Sequence, residues 1–90
     1  MFDGVAAEKM NGGAEVIDAI LDRARIGLAA EMLGQASAAF EVTSEYLKTR
    51  KQFGQVIGGF QALQHRAAKL FTDLELTRSC VLAELDALDR

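Results

Sequence analysis

From Phe60 onward, apolar side chains return every three or four residues: Phe60, Leu63, Ala67, Leu70, Phe71, Leu74, Val81, Leu85 and Leu88. That spacing sets them on one stripe of a helix. The charged residues Arg66, Lys69, Asp73, Glu84 and Asp86 fall mostly off the stripe, so the pattern predicts an amphipathic helix over 60–90. No Gly or Pro interrupts it.

The stretch 14–51 also reads as helix, with Gly27 and Gly34 as weak breakers. Its apolar surface is broader. Ile17, Ile20, Leu21, Ala24 and Leu28 form one stripe, and Ile26, Ala29, Ala30, Leu33, Ala36, Ala39 and Phe40 carry it well round the cylinder. Such a helix expects neighbours on several sides, and its many Ala and Gly residues permit close approach. Two glycine clusters punctuate the chain, Gly12-Gly13 and Gly54 through Gly58-Gly59. Paired glycines are costly inside a helix, so each cluster reads as a loop.

The expected architecture is all-α: an irregular arm over 1–13, a helix over 14–51, a Gly-rich turn over 52–59 and a helix over 60–90, the two helices packed antiparallel. Each helix would run roughly 45–57 Å at ~1.5 Å per residue. A lone hairpin of that length leaves apolar surface wet, and such surface marks an interface. The hairpin is therefore expected to form part of an up-down four-helix bundle, completed by dimerisation or by further chain.

Composition sharpens this. Ninety residues allow one small domain, and 50% hydrophobic with 26% charged residues is globular composition. The absence of proline suits helix. A net charge of −3 argues against a phosphate-backbone binder and so against a nucleic-acid partner. One cysteine, Cys80, forms no internal disulfide, and no Cys/His spacing offers a metal site. The start Met1-Phe2-Asp3-Gly4 has neither the basic nor the apolar region of a signal peptide. No apolar run approaches the ~20 residues that cross a bilayer. The expected location is cytoplasmic.

Few residues suggest chemistry. Lys48-Thr49-Arg50-Lys51 ends the first helix, where cations either complement the helix dipole or, with Arg50 bidentate, hold a phosphate. Gln52-Phe53-Gly54 follows, a polar amide, a flat ring and a glycine that suit a nucleotide. Asp22 and Arg25, three apart, share a helix face as an exposed ion pair. His65 has no ligand-spaced partner and reads as a surface imidazole, while Cys80 reads as a small buried hydrophobe. The residues by themselves show no active site.

Four segments carry a resemblance: Leu21-Asp22-Arg23-Ala24-Arg25, Ala29-Ala30-Glu31-Met32-Leu33-Gly34, Tyr46 through Gly54 with its Arg50-x-Gln52-Phe53-Gly54 run, and Phe60-Gln61-Ala62-Leu63-Gln64-His65. In them the chain resembles the acyl-CoA dehydrogenases, flavoproteins that oxidise the Cα–Cβ bond of an acyl-CoA to give the enoyl-CoA. The likeness runs from about Asp18 to the C-terminus. It implies that the two helices are the first two of the family's C-terminal helical bundle, and that residues 2–13 resemble the end of its β-domain and linker. By position, it implies that Arg50, Gln52 and Phe53 hold the FAD of a neighbouring subunit, Arg50 at the pyrophosphate. Phe60 and Gln61 would add flavin contacts, and Asp22 and Arg25 would line the acyl-CoA site. The implied partners are acyl-CoA, other copies of the chain, and electron-transfer flavoprotein or another acceptor.

The chain also departs from the family. The usual catalytic glutamate lies on a later helix not contained here, and the position used for the base by some members is Ala24. The expectation is a fragment of an acyl-CoA dehydrogenase, inactive alone. The alternative is a self-associating helical hairpin that serves only assembly.

Overall fold

The computed structural model describes residues 3–90. Phe2, the first residue of the expected β-domain tail, lies outside the described residues. Residues 3–13 carry no helix or strand, and helix α1 then spans Ala14–Thr49. Gly13 is its N-cap, and the Gly13 N–H donates to Glu15 Oε1 at 3.2 Å. Gly27 and Gly34 lie within α1 without ending it. Helix α2 spans Gln61–Leu88 and packs back along α1. All-α is therefore the class, as the periodicity predicts. Among the described residues no helix is long and apolar enough to cross a membrane.

The expected boundaries shift at the turn. Helix α1 ends at Thr49 rather than Lys51, because Arg50 adopts extended backbone with φ −71° and ψ 130°. Residues 52–59, expected as a plain loop, are instead structured. Strand β1 (Lys51–Gln52) pairs antiparallel with β2 (Gln55–Val56), Lys51 opposite Val56 and Gln52 opposite Gln55. A single 3₁₀ turn, Ile57–Gly59, follows. Phe60 caps α2 instead of opening it.

The seam between the helices has a seven-residue rhythm. On α1 the side chains withdrawn from solvent include Ile26, Ala30, Leu33, Ser37, Phe40, Ser44 and Leu47, alternating four and three apart; on α2 they include Ala67, Leu74, Val81 and Leu88. A repeat of ~3.5 residues keeps one seam facing one partner along its length. The core is thin. Only Leu33 and Val81, 9% and 7% exposed, are buried hydrophobics among the described residues. Phe40 and Phe71 meet across the seam at 6.2 Å between ring centroids. Among the described residues one side-chain hydrogen bond crosses it, from Arg78 Nη2 to Ser37 Oγ at 3.4 Å.

The outer stripe of α1 finds no partner in this chain. Ile17, Ile20, Leu21 and Leu28 are 61%, 54%, 43% and 59% exposed, because α2 occupies the other stripe. Leu70 and Leu85 of α2, at 52% and 38%, also stay exposed, and Phe71, at 54%, is only partly covered by Phe40. Cys80, expected to be buried, is exposed; it sits on a flank of α2 against which nothing packs. The radius of gyration is 21.4 Å, against about 12 Å for a compact domain of this length. With extents of 69 × 34 × 16 Å, the molecule is a rod two helices wide.

Candidate functional site

The turn that joins the helices is held by backbone geometry. The Arg50 N–H donates to the Tyr46 carbonyl at 2.9 Å, and the Arg50 carbonyl accepts from the Ile57 N–H at 2.8 Å. Between these anchors the chain reverses over Phe53-Gly54, with φ +56° and +79°. Two positive φ values in a two-residue loop are the pattern of a type I′ hairpin turn. Glycine adopts this freely, whereas an L-residue pays about 1–2 kcal/mol.

Phe53 pays it while 90% exposed. Among the described residues its one aromatic neighbour is Phe60, edge to face at 6.1 Å and 83°. A strained, largely exposed aromatic ring at a hairpin tip, with one edge contact to offset the strain, is a signal of function. Beneath the hairpin, Gly58 lies so close to α1 that a Cβ there would stand 2.7 Å from the Leu47 carbonyl oxygen. Gln64 Nε2 donates to the Gly58 carbonyl at 3.0 Å, tying α2 to the same turn.

The electrostatics of this end are one-sided. No Asp or Glu occurs from Tyr46 through Thr72, a span that holds Lys48, Arg50, Lys51, Arg66 and Lys69. Lys48 and Lys69 reach Glu45 and Asp73, just outside it, at 2.9 Å each. Among the described residues, Arg50 and Lys51 form no ion pair, and both are exposed. Helix α2 begins here without a side-chain cap or an acid in its first turn, so its N-terminal N–H groups add partial positive charge.

The turn thus gathers Arg50, Gln52, Phe53, Phe60 and Gln61, all five residues that the resemblance links to a flavin. It does not gather Asp22 and Arg25. Those two lie about 38–42 Å down α1 from Arg50, at ~1.5 Å per residue. They pair with each other, Arg25 Nη1 to Asp22 Oδ1 at 3.2 Å, and line a groove of about 640 Å³ with Ile26, Cys80, Val81 and Glu84. Two features escaped the sequence reading. The carboxylate-free span was legible in the charge order, and Phe-Gly between Lys51-Gln52 and Gln55-Val56 was the sign of the hairpin.

A helical hairpin with an electropositive, aromatic-tipped turn is thereby defined. The chain matches the acyl-CoA dehydrogenase C-terminal domain over residues 11–90 and belongs to that family. It is 50% identical over 58 residues to the mitochondrial short/branched chain specific acyl-CoA dehydrogenase of Bos taurus, covering 64% of this chain and 13% of the relative. It is 48% identical over 62 residues to the acyl-CoA dehydrogenase IpdE2 of Mycobacterium tuberculosis, covering 69% of this chain and 20% of the relative. The probable acyl-CoA dehydrogenase YngJ of Bacillus subtilis is 45% identical over 62 residues, covering 69% of this chain and 16% of the relative. The chain therefore spans a fifth or less of the length of these proteins. No solved structure matches it.

Proposed function

We propose that this chain is the helical-hairpin part of an FAD-dependent acyl-CoA dehydrogenase, which oxidises the Cα–Cβ bond of an acyl-CoA to give the enoyl-CoA. Its share in that enzyme is to hold FAD at the turn and to form subunit contacts through the two long helices. The observation that carries this reading is the turn itself, where Arg50 stands exposed and, among the described residues, without an ion pair, its carbonyl tied to Ile57 just before α2. That chemistry fits a diphosphate, since a guanidinium makes paired hydrogen bonds to phosphate oxygens and helix N–H groups accept anions.

In this reading Arg50 takes the pyrophosphate and Gln52 and Gln61 offer amide hydrogen bonds. Phe53 and Phe60 supply flat apolar surface for a ring. When bound, the flavin supplies a hydride acceptor for the β-carbon. Asp22 and Arg25, on the wall of the groove at the far end, help to position acyl-CoA in this reading, and the two clusters serve different centres of an oligomer; their separation along α1 supports that. Electron-transfer flavoprotein or another acceptor removes the electrons. Nucleic acid and membrane have no part in it, and the cytoplasm is the proposed location, although the Bos taurus relative is named mitochondrial.

The isolated chain is inactive in this reading, for it lacks the family's base and position 24 is alanine. Turnover of any acyl-CoA by the purified chain with an electron acceptor would overturn that. For cofactor contact, FAD at ten times its Kd stabilises the folded state by about 1.4 kcal/mol. The expected result is a rise in Tm with FAD that Arg50→Ala abolishes. A second reading, assembly only, is favoured by the exposed Leu21, Leu28 and Val42 on α1; an unresponsive Tm would support it.

A further inference from the structure

Gln64 sits in the first turns of α2 and bonds back to the chain before it. Its backbone N–H donates to the Phe60 carbonyl at 3.1 Å, while its side-chain Nε2 donates to the Gly58 carbonyl at 3.0 Å. That second bond fills a gap in the backbone ladder. The 3₁₀ turn Ile57–Gly59 gives way to extended backbone at Phe60, with φ −76° and ψ 127°. Among the described residues no backbone N–H reaches the Gly58 carbonyl across that break. The Gln64 amide takes the place of the missing donor.

The bond leads on to Arg50. Gly58 lies against the Leu47 carbonyl oxygen, only 2.7 Å from where a Cβ would stand, so its backbone is set on the end of α1 and held from α2 by Gln64. Ile57, the residue before it, donates to the Arg50 carbonyl at 2.8 Å. A path therefore runs from Gln64 to Gly58, along the chain to Ile57, and across to Arg50. Arg50 has left the helix, at φ −71° and ψ 130°, and makes no ion pair among the described residues. Its backbone is what sets the direction of its guanidinium.

We infer that Gln64 is a positioning residue for the cofactor contact at Arg50: it pins the 3₁₀ turn that fixes the Arg50 backbone, and touches no cofactor itself. This rests on the reading above that the turn holds FAD through Arg50, and adds a residue outside the five assigned there. Paired hydrogen bonds from a guanidinium to a phosphate are demanding in direction. A turn fixed in advance spares the ordering cost of binding, whereas a loosened one loses affinity while both helices stay intact.

Gln64→Met tests this, because it removes the amide and keeps the length and helix propensity of the side chain. FAD is titrated into the 90-residue chain by calorimetry, with circular dichroism to confirm that the helices are formed. A hydrogen bond of this kind corresponds to a factor of about three to ten, and Gln64→Met should weaken FAD by that much. Gln35→Met, which removes an amide bonded to Glu31 within α1, should leave the affinity unchanged. In an Arg50→Ala background Gln64→Met should weaken FAD no further, since the group it positions is gone. Amide hydrogen exchange needs no ligand, and should show Ile57 exchanging faster in Gln64→Met relative to Leu33 in the seam. A wild-type chain that binds FAD while Gln64→Met binds it equally well overturns this inference and leaves the FAD reading standing. So does a loss that is the same with and without the Arg50 side chain, which marks a merely structural role, or an Ile57 amide that exchanges no faster. A wild-type chain that does not bind FAD overturns the cofactor reading and this inference with it.

Discussion

Phe53→Asn offers a sharp test of why an aromatic residue occupies the hairpin tip. At φ +56° the phenylalanine bears about 1–2 kcal/mol of backbone strain. Asn-Gly is the favoured pair for a type I′ turn, so asparagine relieves most of that cost. Against it stands the edge-to-face contact with Phe60 at 6.1 Å, of a kind worth about 0.5–1.5 kcal/mol. With Phe53 90% exposed, little apolar burial is lost and the pair belongs at the low end of its range. The balance is about 0–1 kcal/mol in favour of the variant, and 1 kcal/mol raises Tm by roughly 5 °C in a domain this size. Thermal unfolding by circular dichroism, at one fixed concentration so that self-association does not move the midpoint, reads this directly. An equal or raised Tm together with a lost Tm response to FAD means the ring is kept for its ligand. A variant destabilised by more than about 1 kcal/mol would refute the reasoning, because Phe53 would then be holding the turn through packing.

Two further substitutions separate the structural parts of the turn and groove from the chemical ones. Gly58→Ala sets a methyl group 2.7 Å from the Leu47 carbonyl oxygen, a clash with backbone that should cost about 1–3 kcal/mol in urea unfolding; an unchanged midpoint would mean α1 and the 3₁₀ turn separate freely. Asp22→Asn breaks an ion pair whose side chains are 64–70% exposed, so stability should change by less than about 0.5 kcal/mol. A larger loss in thermal unfolding would show that the pair is structural rather than available to a substrate.

The helices were legible because their signal is local and repetitive. Nine apolar positions from Phe60 to Leu88 and an uninterrupted Gly-free run leave little else for α2 to be. Which stripe of α1 would face α2 was not legible. Ile17, Ile20, Leu21 and Leu28 are larger than much of the seam that packs, which contains Ala30, Ser37 and Ser44. Apolar size says that a face wants cover, and register with the partner decides which face receives it. Cys80 was misplaced for the same reason: its flank is suited to burial, and this chain supplies nothing to bury it. At the turn, glycine spacing announced a loop but not the two hydrogen-bonded pairs inside it, since strands this short have no period to detect. Arg50, Gln52, Phe53, Phe60 and Gln61 were singled out through the family resemblance. In the structure those five lie at one turn, with Phe53 at positive φ at its tip.

Whether this hairpin works as part of a larger flavoenzyme is read most directly from the mass of the natural polypeptide. Peptides from 14–90 would identify the species in lysates of the source cells, and its intact mass would then be measured. The expected species is a polypeptide several-fold heavier than 9.7 kDa that copurifies with flavin. A flavin-free species near 9.7 kDa would contradict it and leave assembly as the hairpin's role.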